Sequence, residues 1–191
     1  MRKSHFYQGD KTMKIKEIGR IEEALPLVWD VFCKYEAVNY PDYGKQVFWN
    51  AIHSPEYLQM LHAYGAYEGK TLIGIIATRN EGRHIALFFV DGKYHRSGVG
   101  RQLWRTVLAD NNCNEITVNS SIYAQEVYKH FGFEQADTIQ ESDGIKYIPM
   151  KYKMFIKEDC LCRKVKCFRH GHCNECRAHH ETSKKLRPCE R

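Results

Sequence analysis

Residues 91–101 run Asp91-Gly92-Lys93-Tyr94-His95-Arg96-Ser97-Gly98-Val99-Gly100-Arg101, and their chemistry is that of an anion cradle. An apolar run, Leu87 to Val90, stops at Asp91-Gly92. Beyond the loop, apolar residues recur at helical spacing as Val99, Leu103 and Val107, so the stretch predicts strand, loop, helix. Gly98 and Gly100 carry no side chain where a ligand would approach the backbone, the helix start leaves N–H donors unpaired, and its dipole favours negative charge. Lys93, Arg96 and Arg101 add positive charge. Two common phosphate loops do not fit. A P-loop needs Gly-x-x-x-x-Gly-Lys-Ser/Thr, and a dinucleotide turn needs a small residue where Leu103 stands.

A second chemical cluster lies near the other end. Six of the 8 cysteines, Cys160, Cys162, Cys167, Cys173, Cys176 and Cys189, fall within residues 160–191, interleaved with His170 and His179. Thiolates and imidazoles this close can surround a tetrahedral zinc ion, with Cys160, Cys162, Cys167, His170, Cys173, Cys176 and His179 as candidate ligands. An iron–sulfur cluster or a reduced, metal-free segment are the alternatives. Residues 157–191 also hold ten Lys and Arg against five acids, most of the net charge of +6. That balance suggests docking onto nucleic acid, an acidic protein or the preceding domain, or simply a solvated surface.

The segment His95-Arg96-Ser97-Gly98-Val99-Gly100 resembles the acyl-CoA signature Gln/Arg-x-x-Gly-x-Gly/Ala of the GNAT superfamily of N-acyltransferases. Downstream, Val118-Asn119-Ser120-Ser121-Ile122-Tyr123-Ala124-Gln125-Glu126-Val127-Tyr128-Lys129-His130-Phe131-Gly132-Phe133 is similar to the second GNAT motif, including its Tyr-x-x-x-Gly-Phe ending. The two motifs stand in the family's order, and the resemblance covers roughly residues 13–155. It implies direct transfer of an acetyl group from acetyl-CoA to a primary amine of a small molecule or protein, with no covalent intermediate.

The resemblance also assigns roles. The backbone of Phe88, Phe89 and Val90 would pair with the pantetheine arm. His95, Arg96, Ser97, Gly98, Val99, Gly100 and Arg101 would hold the CoA phosphates, and Asn119, Ser121 and Ala124 would contact the cofactor beside the splayed strands. Tyr128 stands at the position of the general acid that protonates the departing thiolate. The chain departs from the pattern in three places. His95 replaces Gln or Arg, Ser121 stands where relatives often have Asn, and the strand 83–88 carries no Glu. His84 could serve as base on that strand, since a histidine titrates in a suitable range, but a histidine at a strand start is more often a surface residue; deprotonation of the amine through ordered water, as in other members of the family, is the preferred reading. The aromatic residues Tyr35, Tyr40, Tyr43, Phe48 and Trp49 are expected near the acceptor. A second function class is compatible with the same residues: a non-catalytic GNAT protein that senses acyl-CoA while its tail contacts nucleic acid or a partner.

Periodicity predicts the elements that must position these groups. A strand over 13–18 precedes a helix over 21–38, with Pro26 in its first turns, and a second helix over 45–60, interrupted near Ser54-Pro55. Strands over 62–67, 71–78 and 83–90 lead into the loop and its helix. A strand over 115–120 and a helix whose face carries Ala124, Val127, Tyr128 and Phe131 follow, with Gly132 ending it. Strands over 133–138 and 145–155 flank a turn at 141–144. The order is β-α-α-β-β-β-α-β-α-β-β, and the fold class is α/β, a central mixed splayed sheet flanked by helices. The expected domains are a flexible 1–12, an acyltransferase domain over 13–156, and the basic tail over 157–191. A composition 43% hydrophobic and 13% aromatic argues against disorder. No stretch has the apolar length of a membrane helix or a secretion signal, so a cytoplasmic location without membrane contact is expected, and a homodimer is compatible.

Overall fold

A computed structural model describes residues 13–111 and 113–154, with the isolated positions 160, 162, 171, 176, 177, 179, 180, 186 and 187 beyond them. β1 (Met13–Glu17) opens the chain. The predicted helix over 21–38 is divided. A 3-10 turn (Ile21–Ala24) runs into α1 (Leu25–Val31), then a π-helical turn (Phe32–Glu36) and a second 3-10 turn (Ala37–Asn39). Pro26 sits in the first turn of α1, where its missing N–H has no helical partner to lose. The second predicted helix is also two, α2 (Asp42–Ile52) and α3 (Pro55–Gln59). Ser54 causes the break: its hydroxyl oxygen accepts the Tyr57 N–H at 3.2 Å, capping a new helix whose first residue is proline.

β2 (His62–Glu68), β3 (Thr71–Arg79) and β4 (His84–Val90) follow, then α4 (Val99–Asp110), β5 (Glu115–Ser120), α5 (Gln125–His130), β6 (Glu134–Gln135), β7 (Gln140–Ser142) and β8 (Ile145–Lys153). The sheet order is β1-β2-β3-β4-β5-β8-β6, with β7 paired to β8. All pairs are antiparallel except β4 with β5, which run parallel and meet only at His84↔Thr117 and Ile85↔Val118. The predicted strand over 133–138 is cut short at Gln135. There the Asp137 carboxylate takes up the Thr138 N–H at 2.7 Å, and a side chain that satisfies its neighbour's backbone replaces a ladder with a turn.

The sheet separates two cores. Leu103, Trp104 and Val107 of α4 and Tyr128 of α5 pack on one face with Ile116, Val118 and Met150. Val28 of α1, Phe32 and Ile52 pack on the other with Ile75, Leu87 and Phe89. β4 changes allegiance midway. Leu87 pairs with Ala77 and Ile85 with Thr78, so Ala86 is an extra residue, a bulge. It puts Ile85 and Phe88 in the same core although they are three residues apart, and it lies where β4 leaves β5.

The α1–α2 layer is tied to the far hairpin as well as to the sheet. Tyr40 donates its hydroxyl to the Lys146 carbonyl at 2.9 Å. One turn into α2, Gly44 lies against Gly144, the second residue of the Asp143-Gly144 turn, both of whose residues have positive φ as a type I′ hairpin requires. A Cβ on Gly44 would sit 2.8 Å from the Gly144 carbonyl oxygen, which as backbone cannot swing away. Gly44→Ala is expected to destabilise the fold by roughly 1–3 kcal/mol, as overpacking does, read as a lower urea midpoint. Gly19→Ala, with nothing within 4 Å of its new carbon, is the control and should leave the midpoint unchanged.

Candidate active site

The divergence of β4 from β5 opens a cavity of about 790 Å³. Its floor is Phe88, Phe89 and Val90, its far wall is Tyr128 and Phe131 of α5, and Tyr35 and Glu36 reach it from the α1 side. The loop before α4 forms the mouth. Asp91 accepts the Lys93 N–H at 2.9 Å and Ser97 donates its hydroxyl to the Tyr94 carbonyl at 2.6 Å, so the turn satisfies its own polar groups. Gly98 has φ +92°, which L side chains rarely adopt, and a side chain there would extend into open space. The first backbone N–H of α4 to find a helical carbonyl is that of Gln102, bonded to Gly98 at 3.1 Å. The N–H groups of Gly98, Val99, Gly100 and Arg101 therefore precede any helical acceptor and remain available to an anion. Arg101 adds its charge and bridges to α5, donating Nη2–H to His130 Nε2 at 2.9 Å. A guanidinium only donates, so His130 accepts there and its proton sits on Nδ1.

Tyr128 is held by the end of its helix. The Gly132 N–H bonds the Lys129 carbonyl at 2.9 Å and the Phe133 N–H bonds the Tyr128 carbonyl at 3.0 Å, with Gly132 at φ +93°. This is a Schellman cap, and its usual apolar contact is the edge-on packing of Phe133 against the Tyr128 ring, 5.3 Å between centroids. The Tyr-x-x-x-Gly-Phe pattern is thus the covalent record of one helix terminus. Tyr128 is 6% exposed, and burial first, then the neighbouring Glu36 carboxylate, push its phenol far above the ordinary tyrosine range. The hydroxyl stays protonated at any physiological pH.

Glu36 was not predicted, and it is the most perturbed acid of the site. It ends the π-helical turn, faces the cavity that Tyr128 faces, and is pushed up to about 7 by loss of solvation, a rise opposed by a hydrogen bond from Ser121. Burial first, then the Glu36 charge, raises Tyr40 to about 12. The sequence did carry a signal: Leu25, Val28, Phe32 and Glu36 follow helical spacing, which places a carboxylate on an otherwise apolar face.

Several predicted residues behave differently. His84 lies at the opposite end of β4 from the cavity, about 20 Å of strand from Val90 at the usual rise per residue. Its Nδ1–H donates to the Thr117 hydroxyl at 2.8 Å, and burial, then Arg79, lower it to about 4, so the candidate base on that strand is neither near the cavity nor basic enough. His95 does line the mouth, but its Nε2–H is committed to the Val90 carbonyl at 2.9 Å and its ring packs on Tyr35, so it fixes the loop to the strand instead of presenting that proton to a phosphate. Val99 is core, Asn119 is exposed, and Ser121 touches the site through Glu36. Arg96, Ser97, Gly100 and Ala124 line the cavity. Of the aromatic cluster, Tyr35 lines the cavity and Tyr40 neighbours Glu36, whereas Phe48 stacks on Phe32 at 4.0 Å and Trp49 packs edge to face with Trp29 at 4.7 Å. Of the predicted metal ligands, Cys167, His170 and Cys173 lie outside the described residues. Cys160, Cys162, Cys176 and His179 are described, and among the described residues no three His, Cys, Asp or Glu side chains gather to hold a metal.

A mixed sheet splayed at one parallel pair, with an anion-ready helix start and a capped tyrosine helix flanking the gap, defines an acyltransferase-like architecture. The family described as acetyltransferase (GNAT) domain matches residues 34–154, and the chain belongs to it. Among solved structures it is similar to a GCN5-related N-acetyltransferase from Rhodopseudomonas palustris (TM-score 0.57, 14% identity, 79% of this chain and 100% of that one). It is similar also to a GNAT-family acetyltransferase from Staphylococcus aureus Mu50 (0.57, 17%, 74% and 99%). A third is the ribosomal-protein-S18-alanine N-acetyltransferase from Escherichia coli (0.52, 16%, 79% and 99%). At such identities the likeness is one of fold. No curated protein matches the sequence.

The perturbed carboxyl has a thermodynamic consequence. Glu36 binds its proton more tightly folded, near 7, than at its ordinary 4.5, so the unfolded chain ionises first as pH rises. Stability from this group is fully present below 4.5 and is lost as pH climbs through 7. Glu36→Gln should therefore unfold at higher urea than the parent at about pH 8, by roughly 1–3 kcal/mol, with the advantage vanishing below about pH 4.5.

Proposed function

We propose that this protein transfers an acetyl group from acetyl-CoA directly to a primary amine. One observation carries the reading: a single cavity joins the unpaired N–H groups at the start of α4 to the buried, protonated hydroxyl of Tyr128. An anion-binding end and a proton-donating end, in a gap between diverging strands, suit a donor with a phosphorylated tail and a thiolate leaving group. The residues present fit such a donor. The side chain missing at Gly98 leaves open space, and Gly100 keeps the approach to the helix start clear, its nearest neighbour the Phe88 ring 3.5 Å from where a Cβ would be. The thioester supplies an activated acyl group. Arg101 and the α4 N–H groups hold the phosphate end, the apolar floor of Phe88 and Phe89 keeps water from the thioester, and Tyr128 hands its phenolic proton to the leaving sulfur. The pKa elevation suits that role, because the acid must be protonated before transfer.

Two measurements check the reading. Calorimetric titration with acetyl-CoA should show saturable binding, abolished in Gly98→Trp, whose indole would occupy the mouth. Tyr128→Phe should bind acetyl-CoA as the parent does while turnover with an accepted amine falls roughly 100-fold or more, the usual contribution of a general acid. Full turnover by Tyr128→Phe at every pH would remove the tyrosine from the mechanism.

A further inference from the structure

An amine reaches neutral solution as an ammonium ion, which cannot attack a carbonyl until it has lost a proton. Tyr128 is an acid and His84 is remote, so in the acetyl-transfer reading above that proton passes either to ordered water or to another side chain of the cavity. Glu36 occupies the cavity that Tyr128 occupies, and no ion pair among the described residues engages it. The other carboxylate on the cavity wall, Glu126, is held by Lys129 at 2.8 Å. Glu36 also sits on a π-helical turn, a local departure that shifts its register relative to α1.

The Ser121 hydroxyl ties this carboxylate to the backbone turn from which the tyrosine helix starts. Ser121 follows β5 at the point where that strand has parted from β4. Its oxygen accepts the Ala124 N–H at 3.2 Å, which leaves the hydroxyl proton for Glu36. Ala124 in turn accepts the Tyr128 N–H at 3.2 Å through its carbonyl. One turn of chain, 121–124, therefore carries the carboxylate's partner at one end and the start of the tyrosine helix at the other.

We infer that Glu36 is the catalytic base that deprotonates the acceptor's ammonium group, and that Ser121 is the positioning residue that aims it. This deepens the acetyl-transfer reading and rests on it. Glu36 takes one proton from the ammonium and passes it to solvent, leaving the electron pair on nitrogen. That pair forms the C–N bond as the C–S bond breaks. Tyr128 gives its proton to the departing sulfur and regains one from the nitrogen, so each turnover releases one proton. The titratable groups facing Glu36 are the phenols of Tyr40, from the α1–α2 turn, and of Tyr128, from α5, while His95 and Arg96 line the same cavity from the loop. With burial raising its affinity for a proton and Ser121 lowering it, Glu36 ionises at about the pH where it must work.

The test has a ligand-free arm and a turnover arm. In protein carrying 13C-labelled glutamate carboxyls, the resonance missing from Glu36→Gln should titrate near pH 7, and Ser121→Ala, which removes the opposing hydrogen bond, should move it to higher pH. With acetyl-CoA and a pool of primary amines, thiol release by Glu36→Gln should drop roughly 100-fold and lose the acidic limb of the kcat profile, while acetyl-CoA binding is unchanged. Ser121→Ala should move that limb upward by the shift seen in the resonance. An acidic limb that survives in Glu36→Gln, or that ignores Ser121→Ala, overturns the assignment of the base and leaves transfer standing. Parent protein that releases no thiol with any amine of the pool overturns the transfer reading, and the base with it.

Discussion

Strands β4 and β5 share two residue pairs and then separate, and the chemistry of this protein depends on that parting. Backbone groups along diverging strands lose their natural partners, and buried unpaired donors and acceptors are costly. The bulge at Ala86 sets the divergence by turning Phe88 and Val90 toward the α5 face just where pairing with β5 stops. β5 is not destabilised by the loss, because its other edge stays bonded to β8 along its whole length, from Glu115↔Lys153 to Ser120↔Ile148. The gap is thus wedged between two intact ladders, β3–β4 and β5–β8, and can persist without a ligand to prop it.

Around the gap, electrostatics separates two proton affinities. Glu36 and Tyr128 both lose solvation, which favours the neutral form of each. The carboxyl is drawn down toward neutrality by Ser121, whereas the phenol is driven further up by the carboxylate's charge. The two groups therefore hold opposite protonation states at the same pH, the condition for acid and base work in a single cavity. The arrangement costs folding free energy, since an ionised Glu36 has no ion-pair partner among the described residues; a cost of this kind is tolerated where surrounding structure enforces it. Here the π-helical turn and the packed faces of α1 enforce it.

What was legible in the sequence was whatever a few consecutive residues decide. The strand, loop and helix around Gly98 and the capped end at Gly132 follow from local backbone rules, so motif and structure agree. From β2 to α5 the order of strands and helices was legible for the same reason, whereas the separate helix α3 beyond the interruption at Ser54-Pro55 and the short β7, which takes up part of the expected turn at 141–144, were not. Positions that depend on partners distant in the chain were not. His84 lay on the right strand at the wrong end, which only the direction of β4 reveals. His95 matched its motif column, but its ring turns back onto Val90. Phe48 and Trp49 satisfied an aromatic expectation, but ring packing within the α1–α2 layer claimed them. Glu36 was visible as a carboxylate on an apolar face, and its meaning emerged only when Ser121, 85 positions later in the numbering, came beside it.

The contact between Gly44 and Gly144 bears on how such a protein diversifies. Two backbones touch there with no side chain between them, joining the helical layer to the last hairpin. Neither position has room for a side chain as it stands: a first carbon added at Gly44 meets the Gly144 peptide carbonyl, and one added at Gly144, where φ is already positive, meets the Tyr43 ring. Among descendants of this sequence Gly44 should persist for as long as the two backbones touch and Gly144 for as long as Tyr43 covers it, and any lineage that moves the last hairpin away from the helical layer must first part these two backbones.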